Sequence, residues 1–301
     1  LPQTPAGQVK ASYTVTHLPK VSPQEPAAFY DQDNDEDYRR RETAKCKKKR
    51  GNLLYTLAMI VFAAIFLISG GLLVKRFLDD RKTESEFADL QSMIDTAATP
   101  APAGENVNPN GARFAALRDK NSDFIGWISI DGTNLDFPVM YAPDNKDFYL
   151  RHDFNKAYSV YGVPYLDEQT TLGANAESDN LIIYGHNMKT GTIFGCLTEY
   201  RKGDYYQEHP FIEFDTVYGD AKYEVFGAFT IDVVNDTSFI YNQYIDMDED
   251  TYNRYVDQVI SRSDVDSGIR PAYGEQLLTL STCEYSSANG RYVVVARRVS
   301  D

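Results

Sequence analysis

Three regimes of polar and apolar residues follow one another along this chain. Residues 1–38 are rich in Pro, Gln, Asp and Ala and show no apolar period, which predicts disorder. Gly51 to Val74, GNLLYTLAMIVFAAIFLISGGLLV, then runs without a single charge. Its apolar part, Leu53 to Val74, spans about 33 Å as a helix, long enough to cross a bilayer. Phe77 to Met93 is expected to continue as helix, until Pro, Ala, Gly and Asn from Thr96 to Gly111 interrupt it as a linker. A short helix around Arg113 to Asp119 leads into the third regime, where the apolar period falls to two.

From Phe124 onward the pattern is that of short strands. IGWISIDGTNLDFPVM reads as two strands about an Asp131-Gly132 turn, the second closing near Pro138. YGVPYLD, NLIIYGHNM, PFIEFDTVYGDAKYEVFGAFTIDVV, QLLTLSTC and RYVVVARRV supply the rest, and their regular spacing predicts a barrel or sandwich. One segment departs from this. MDEDTYNRYVDQVISRS places Tyr252, Tyr255, Val256, Val259 and Ile260 on one helical face, with Asp248 near the N-cap and acids in the first turn. A helix is therefore expected just ahead of the strand that ends at Cys283. No internal repeat is present.

Composition agrees with a β-rich core: 22 Tyr and 16 Phe suit strands better than a helical bundle. The net charge of -14 excludes general nucleic-acid binding. That charge is unevenly divided, at +3 over residues 1–74 and -17 over residues 75–301, so the two parts face different surroundings. Arg39 to Arg50 carries eight basic residues against one acid, and Lys75 to Lys82 carries four. The positive-inside bias then predicts a retained signal-anchor, with the N-terminus cytoplasmic and the C-terminal part outside the cell membrane. A cleaved signal peptide would have an apolar region of about 7–15 residues after a short tail, and neither description fits. The chain opens on Leu rather than Met, which reads as an incomplete start. Asp31, Asp33, Asp35 and Glu42 have the spacing of a calcium loop, but Glu36 stands where its sharp turn needs Gly.

Candidate chemistry lies near the C-terminus. In TLSTCEYSSANGRYVVVARR, Cys283 closes an apolar β-branched run and Arg291 opens the next, eight positions later. Were Leu277 to Cys283 a strand, Thr279, Ser281 and Cys283 would share a face. An antiparallel return strand would bring Arg291 beside the thiol, where a cation favours thiolate and its forked donors suit a developing oxyanion. Taken singly, a buried Cys and a surface Arg are more often structural. Histidine adds a third group: His17 lies in the tail, His152 and His209 among polar neighbours, and His186 directly after an apolar strand and Gly185. A Cys nucleophile needs a group that moves a proton near neutral pH, and His is the usual one. Cys46 reads as a solvated thiol, with palmitoylation as the alternative. Cys196 reads as a small apolar side chain. A Cys196–Cys283 disulfide stays open, although two cysteines make no disulfide scaffold and at least one is expected to be free.

TLSTC followed by NGRYVVVARR, with NLIIYGHNM upstream, resembles the sortases, cysteine transpeptidases of Gram-positive cell surfaces. FIGWISIDGTNLDFP and GVPYLD are similar to that family's early strands, and the helix before the Cys strand resembles class B. The likeness covers roughly Arg113 to Val299. It implies a closed β-barrel of about eight strands, with N-terminal helices and one helix inserted before the Cys strand. It divides the chain into a disordered cytoplasmic tail with a basic cluster (1–52), a transmembrane signal-anchor helix (53–74), an extracellular helix and linker (75–112) and a catalytic domain (113–301).

By the same resemblance, Cys283 attacks the carbonyl of a Thr in a C-terminal sorting signal and forms a thioester. His186 protonates the leaving amine, and Arg291 holds the substrate carbonyl or oxyanion. Ser281 and Glu284 line the pocket or supply a main-chain N–H. The partners implied are surface proteins bearing the signal, an amine of a peptidoglycan precursor or a pilin, and the membrane; no metal or organic cofactor is required. Class B likeness favours an Asn/Ser-Pro-x-Thr motif over Leu-Pro-x-Thr. The LPQT that opens this chain is itself like a sorting motif, but it lies at the wrong end and on the wrong side of the predicted span.

Two other readings compete. Another extracytoplasmic cysteine acyl transferase or peptidase would use different motifs: an L,D-transpeptidase carries His and Cys close together, whereas His186 and Cys283 are 97 residues apart. A papain-like enzyme places its Cys before its His. A non-catalytic anchored adhesion module would leave Cys283 dispensable and unreactive.

Overall fold

The computed structural model describes residues 32–97, 109–285 and 287–299, and the chain divides at Val74/Lys75 into two units. Residues 1–31 and 98–108, expected as tail and linker, lie outside the described residues. Helix α1 spans Gln32–Ala97. Residues 32–52, expected to be disordered, are therefore helical. No Pro interrupts the stretch, and i,i+4 ion pairs such as Asp37–Arg41 at 2.8 Å line its first turns. In the first unit the apolar residues of α1 point outward, with Phe66 76% and Leu67 72% exposed. This helix is long and apolar enough to cross a membrane.

The second unit is a closed barrel. Its strands are β1 (Phe124–Ser129), β2 (Asp136–Met140), β3 (Tyr165–Leu166), β6 (Asn180–Tyr184), β7 (Phe211–Thr216), β8 (Lys222–Asp232), β9 (Leu277–Glu284) and β10 (Gly290–Val299). Neighbours run β1-β2-β3-β6-β9-β10-β8-β7, and β7 closes on β1. A separate small hairpin joins β4 (Leu172–Gly173) to β5 (Ala176–Glu177). Short helices α2 (Pro109–Arg113) and α3 (Ala115–Lys120) precede β1, and α4 (Gly203–Glu208) precedes β7.

The β1–β2 connection is wider than a two-residue turn, running from Ile130 to Leu135. Strand β2 continues past Pro138, which pairs with Trp127. A proline is tolerated there because β2 meets β3 only at Met140↔Tyr165, so few ladder bonds are made on that edge.

Alternation in the long strands separates two cores. Leu278, Leu280, Tyr292, Val294 and Ala296 face the barrel interior. Val293, Val295 and Leu277 face outward and are covered by α5 (Glu249–Arg262) through Tyr252, Tyr255, Val256 and Val259. Asp248 caps α5, accepting from the Thr251 N–H at 2.8 Å. Ile260, expected on the same face, is 39% exposed because it falls at the edge of the stripe. Within the second unit, the end of α1 also joins the main core: Leu90 and Ile94 are buried, and Phe87 meets Phe137 edge-on at 4.9 Å.

Candidate active site

The site begins with the β9–β10 register. Cys283 pairs directly with Arg291, two steps along from the Ser281↔Val293 pair. These residues lie on the outer, α5-covered side of the sheet. The face of the hairpin that carries Cys283 and Arg291 is thus outside the barrel, at the end that α5 leaves uncovered. Cys283 is half-buried and free, and Arg291 is half-buried with Nη1 donating to the Gly290 carbonyl at 2.9 Å.

Strand β6 lies parallel to β9, and its ladder ends at Tyr184↔Ser281. Gly185 follows, where a Cβ would stand 2.6 Å from the Phe194 ring, so only glycine lets the chain pass into His186. Continuing the register by two steps brings His186 level with Cys283. His186 Nε2 lies 2.8 Å from the main-chain oxygen of Leu150. A carbonyl only accepts, so Nε2 holds the proton of the neutral ring and Nδ1 keeps the lone pair. Burial depresses the basicity of this imidazole, with the nearby Arg151 charge adding to the effect, while the bond to Leu150 works against it.

His186, Cys283, Arg291 and Ser281 line one cleft of about 390 Å³. Its floor is a set of tyrosine bonds: Tyr184 Oη donates to Asp167 and Tyr165 Oη to Asp147, each at 2.7 Å, and Tyr241 Oη lies 2.7 Å from Ser281 Oγ. Burial raises all three phenols above their ordinary value, so they keep their protons. Ile240 and Val233 add an apolar rim.

Ser281 is thus in the cleft wall. The Glu284 side chain is not: the next residue along a strand points the opposite way, and its carboxylate pairs with Arg201 at 3.3 Å on the other side of the hairpin. Cys196 is also away from the cleft, its thiol pushed up by burial. His152 stacks on Phe148 at 3.9 Å and His209 meets the Asp131 carbonyl at 2.8 Å, and neither lines the cleft.

Sequence reading missed Leu150, Tyr241 and Asp167. Leu150 acts through its main chain, which leaves no side-chain signal. Tyr241 and Asp167 come from connections between strands, where no periodic pattern marks which residues face inward.

The family model for the Sortase domain matches residues 128–299. Sortase B of Staphylococcus aureus is 30% identical over 244 residues, 80% of this chain and 95% of that protein. Sortase B of Listeria monocytogenes is 28% identical over 247 residues, again 80% and 95%. Among solved structures, a Staphylococcus aureus sortase B–substrate complex superposes with a TM-score of 0.64 at 29% identity, covering 74% of this chain and 99% of that one. A closed eight-stranded barrel, a helix ahead of the Cys strand and these likenesses lead to one conclusion: the chain belongs to the sortase family of cysteine transpeptidases and is class B-like.

Proposed function

We propose that Cys283 is the nucleophile, His186 the proton-transfer group and Arg291 the oxyanion partner of a transpeptidase that cleaves a C-terminal sorting signal after Thr. The observation that carries this reading is the direct Cys283↔Arg291 pair on β9 and β10, with His186 just past the end of β6 and all three lining a single cleft. In the resting pair, Nδ1 of neutral His186 accepts the Cys283 proton. The thiolate attacks the Thr carbonyl carbon, and the resulting oxyanion meets the Arg291 guanidinium. As the C–N bond breaks, imidazolium returns its proton to the departing amine and a thioester remains. An incoming amine then attacks the thioester, gives a proton to Nδ1 and releases the thiolate. Ser281 borders the acyl site.

The substrate class is a protein bearing an Asn/Ser-Pro-x-Thr-type signal, and the acceptor is an amine of a peptidoglycan precursor or a pilin. The sortase B–substrate complex among the structural relatives supports a sorting peptide in this cleft. Residues 53–74 anchor the enzyme in the cell membrane, residues 75–112 lead away from it, and residues 113–301 form the catalytic domain outside. The basic cluster before the span supports that orientation. Protease added to sealed protoplasts should digest residues beyond 75 and spare the tail; the reverse pattern overturns the topology.

The detergent-solubilised full chain, offered quenched peptides of both motif types, should cleave after Thr and carry an acyl adduct on Cys283 by mass spectrometry. Cys283→Ala should abolish both. Equal cleavage by that variant removes Cys283 from the role.

A further inference from the structure

The β6–β9 ladder stops at Tyr184↔Ser281, with the Gly185 N–H still donating to the Ser281 carbonyl at 3.1 Å. A regular parallel ladder would next join the Cys283 N–H to the Gly185 carbonyl and the Asn187 N–H to the Cys283 carbonyl. Side chains take both acceptors instead. Thr282 Oγ1 donates to the Gly185 carbonyl at 2.7 Å, and Asn187 Nδ2 donates to the Cys283 carbonyl at 2.9 Å. A side-chain rung is longer than a main-chain one, so the two chains spread apart while staying in step. His186 and Cys283 sit across that spread, and the cleft opens there.

Asn187 is further held from both sides. Its main chain forms an isolated antiparallel bridge with Ile193, and its carbonyl accepts from Tyr285 Oη at 2.8 Å. Tyr285 follows Cys283 by two residues. The bond from Asn187 is therefore the one direct side-chain link, among the described residues, from the turn that carries His186 to the main chain of Cys283 itself.

We propose that Asn187 is a positioning residue that fixes the spacing of the His186–Cys283 pair by a side-chain rung to the Cys283 carbonyl, with Thr282 as the companion rung. This rests on the reading of that pair given above. Asn187 touches neither substrate nor the transferred proton. Its effect passes through the separation of the two groups that do.

The test uses the detergent-solubilised full chain. Asn187→Ala, and the size-matched Asn187→Asp that lacks the donor, should each lower kcat on the order of tenfold to hundredfold, as expected for misplacing a reacting pair. KM should stay within about threefold, since binding in the cleft is unaltered. In a His186→Ala background the same changes should cost less than about twofold, because the pair to be positioned is already gone. Thr282→Ser keeps the hydroxyl and should retain activity, whereas Thr282→Val should lose it.

The pH profile of iodoacetamide alkylation at Cys283, read on its own peptide by mass spectrometry, needs no substrate. In both Asn187 variants it should move toward the profile of His186→Ala. An unmoved profile, or a kcat loss of equal size with and without His186, overturns the positioning role. Failure of the parent to cleave any peptide would refute the transpeptidase reading, and the alkylation profile would still decide Asn187.

Discussion

His186 shows how far one side chain depends on its surroundings. Its Nε2–H is engaged by the Leu150 carbonyl, and burial disfavours its charged form. Its folded-state pKa is therefore lower than the unfolded value of 6.5. The acid limb of kcat/KM should then fall below pH 6.5, and the His186 resonances should titrate in that same range by NMR; an acid limb above 6.5 contradicts the assignment. Stability follows the same sign. Above pH 6.5 the ring is neutral in both states, and as pH drops through 6.5 toward the lowered folded value the unfolded chain takes up the proton first, so stability declines. The place of His186 in the cleft was legible from its position after an apolar strand and a glycine. Its tautomer was not, because Leu150 lies 36 residues away in sequence. Glu284 is the opposite case: adjacency to Cys283 suggested a common pocket, but strand alternation sends its carboxylate to Arg201.

At the scale of elements, the β9–β10 hairpin and α5 were legible, because each carries a complete local pattern. The hairpin shows β-branched alternation about a Ser-Ala-Asn-Gly turn, and α5 has a 3.6-residue apolar face behind an Asp cap. Their mutual packing depends on a position without such a pattern. Gly227 of β8 lies beneath α5, where an added Cβ would stand 2.4 Å from Cγ1 of the buried Val259. Gly227→Ala should cost about 1–3 kcal/mol through overpacking. That is a fall of several degrees in Tm for a domain of this size, measured by differential scanning calorimetry; an unchanged Tm would mean that α5 does not seat so closely. The limits of β2 and α1 were misjudged for one reason: a breaker or a polar composition was weighed without its neighbours. Pro138 is harmless where few ladder bonds are made, and i,i+4 ion pairs between residues 35 and 41 favour helix in a charged stretch.

For the molecule as a whole, α1 is long and apolar enough to cross a membrane, and the second unit recruits more of α1 than the sequence implied. Leu90 is 3% and Ile94 7% exposed, both in the barrel's main core. A fragment starting at residue 96 removes both. It should be less stable than one starting at Lys75 by about 3–6 kcal/mol, from burial of about 1.5–3 kcal/mol per aliphatic side chain. Urea denaturation of the two fragments would measure this, and equal midpoints would show that the helix end is not part of the folded unit. The barrel also explains where the cleft lies. Its interior is filled by Leu278, Leu280, Tyr292 and Val294, and the cleft lies on the outer face, beyond the edge of α5.

The sequence alone determined the apolar span, the strand-rich character and the helix before the Cys strand, and it singled out Cys283, His186 and Arg291, which the structure brings to one cleft. These rest on local periodicity, charge and motif, all of which are properties of neighbouring residues. Only the tertiary structure decided that Leu150 orients His186, that Tyr241 and Asp167 line the floor, that Glu284 turns away, and that Asn187 spans to Cys283. Each of those contacts joins residues at least 17 positions apart, through main-chain carbonyls or irregular connections. Which of them meet is settled by how the barrel closes, and closure depends on every strand at once.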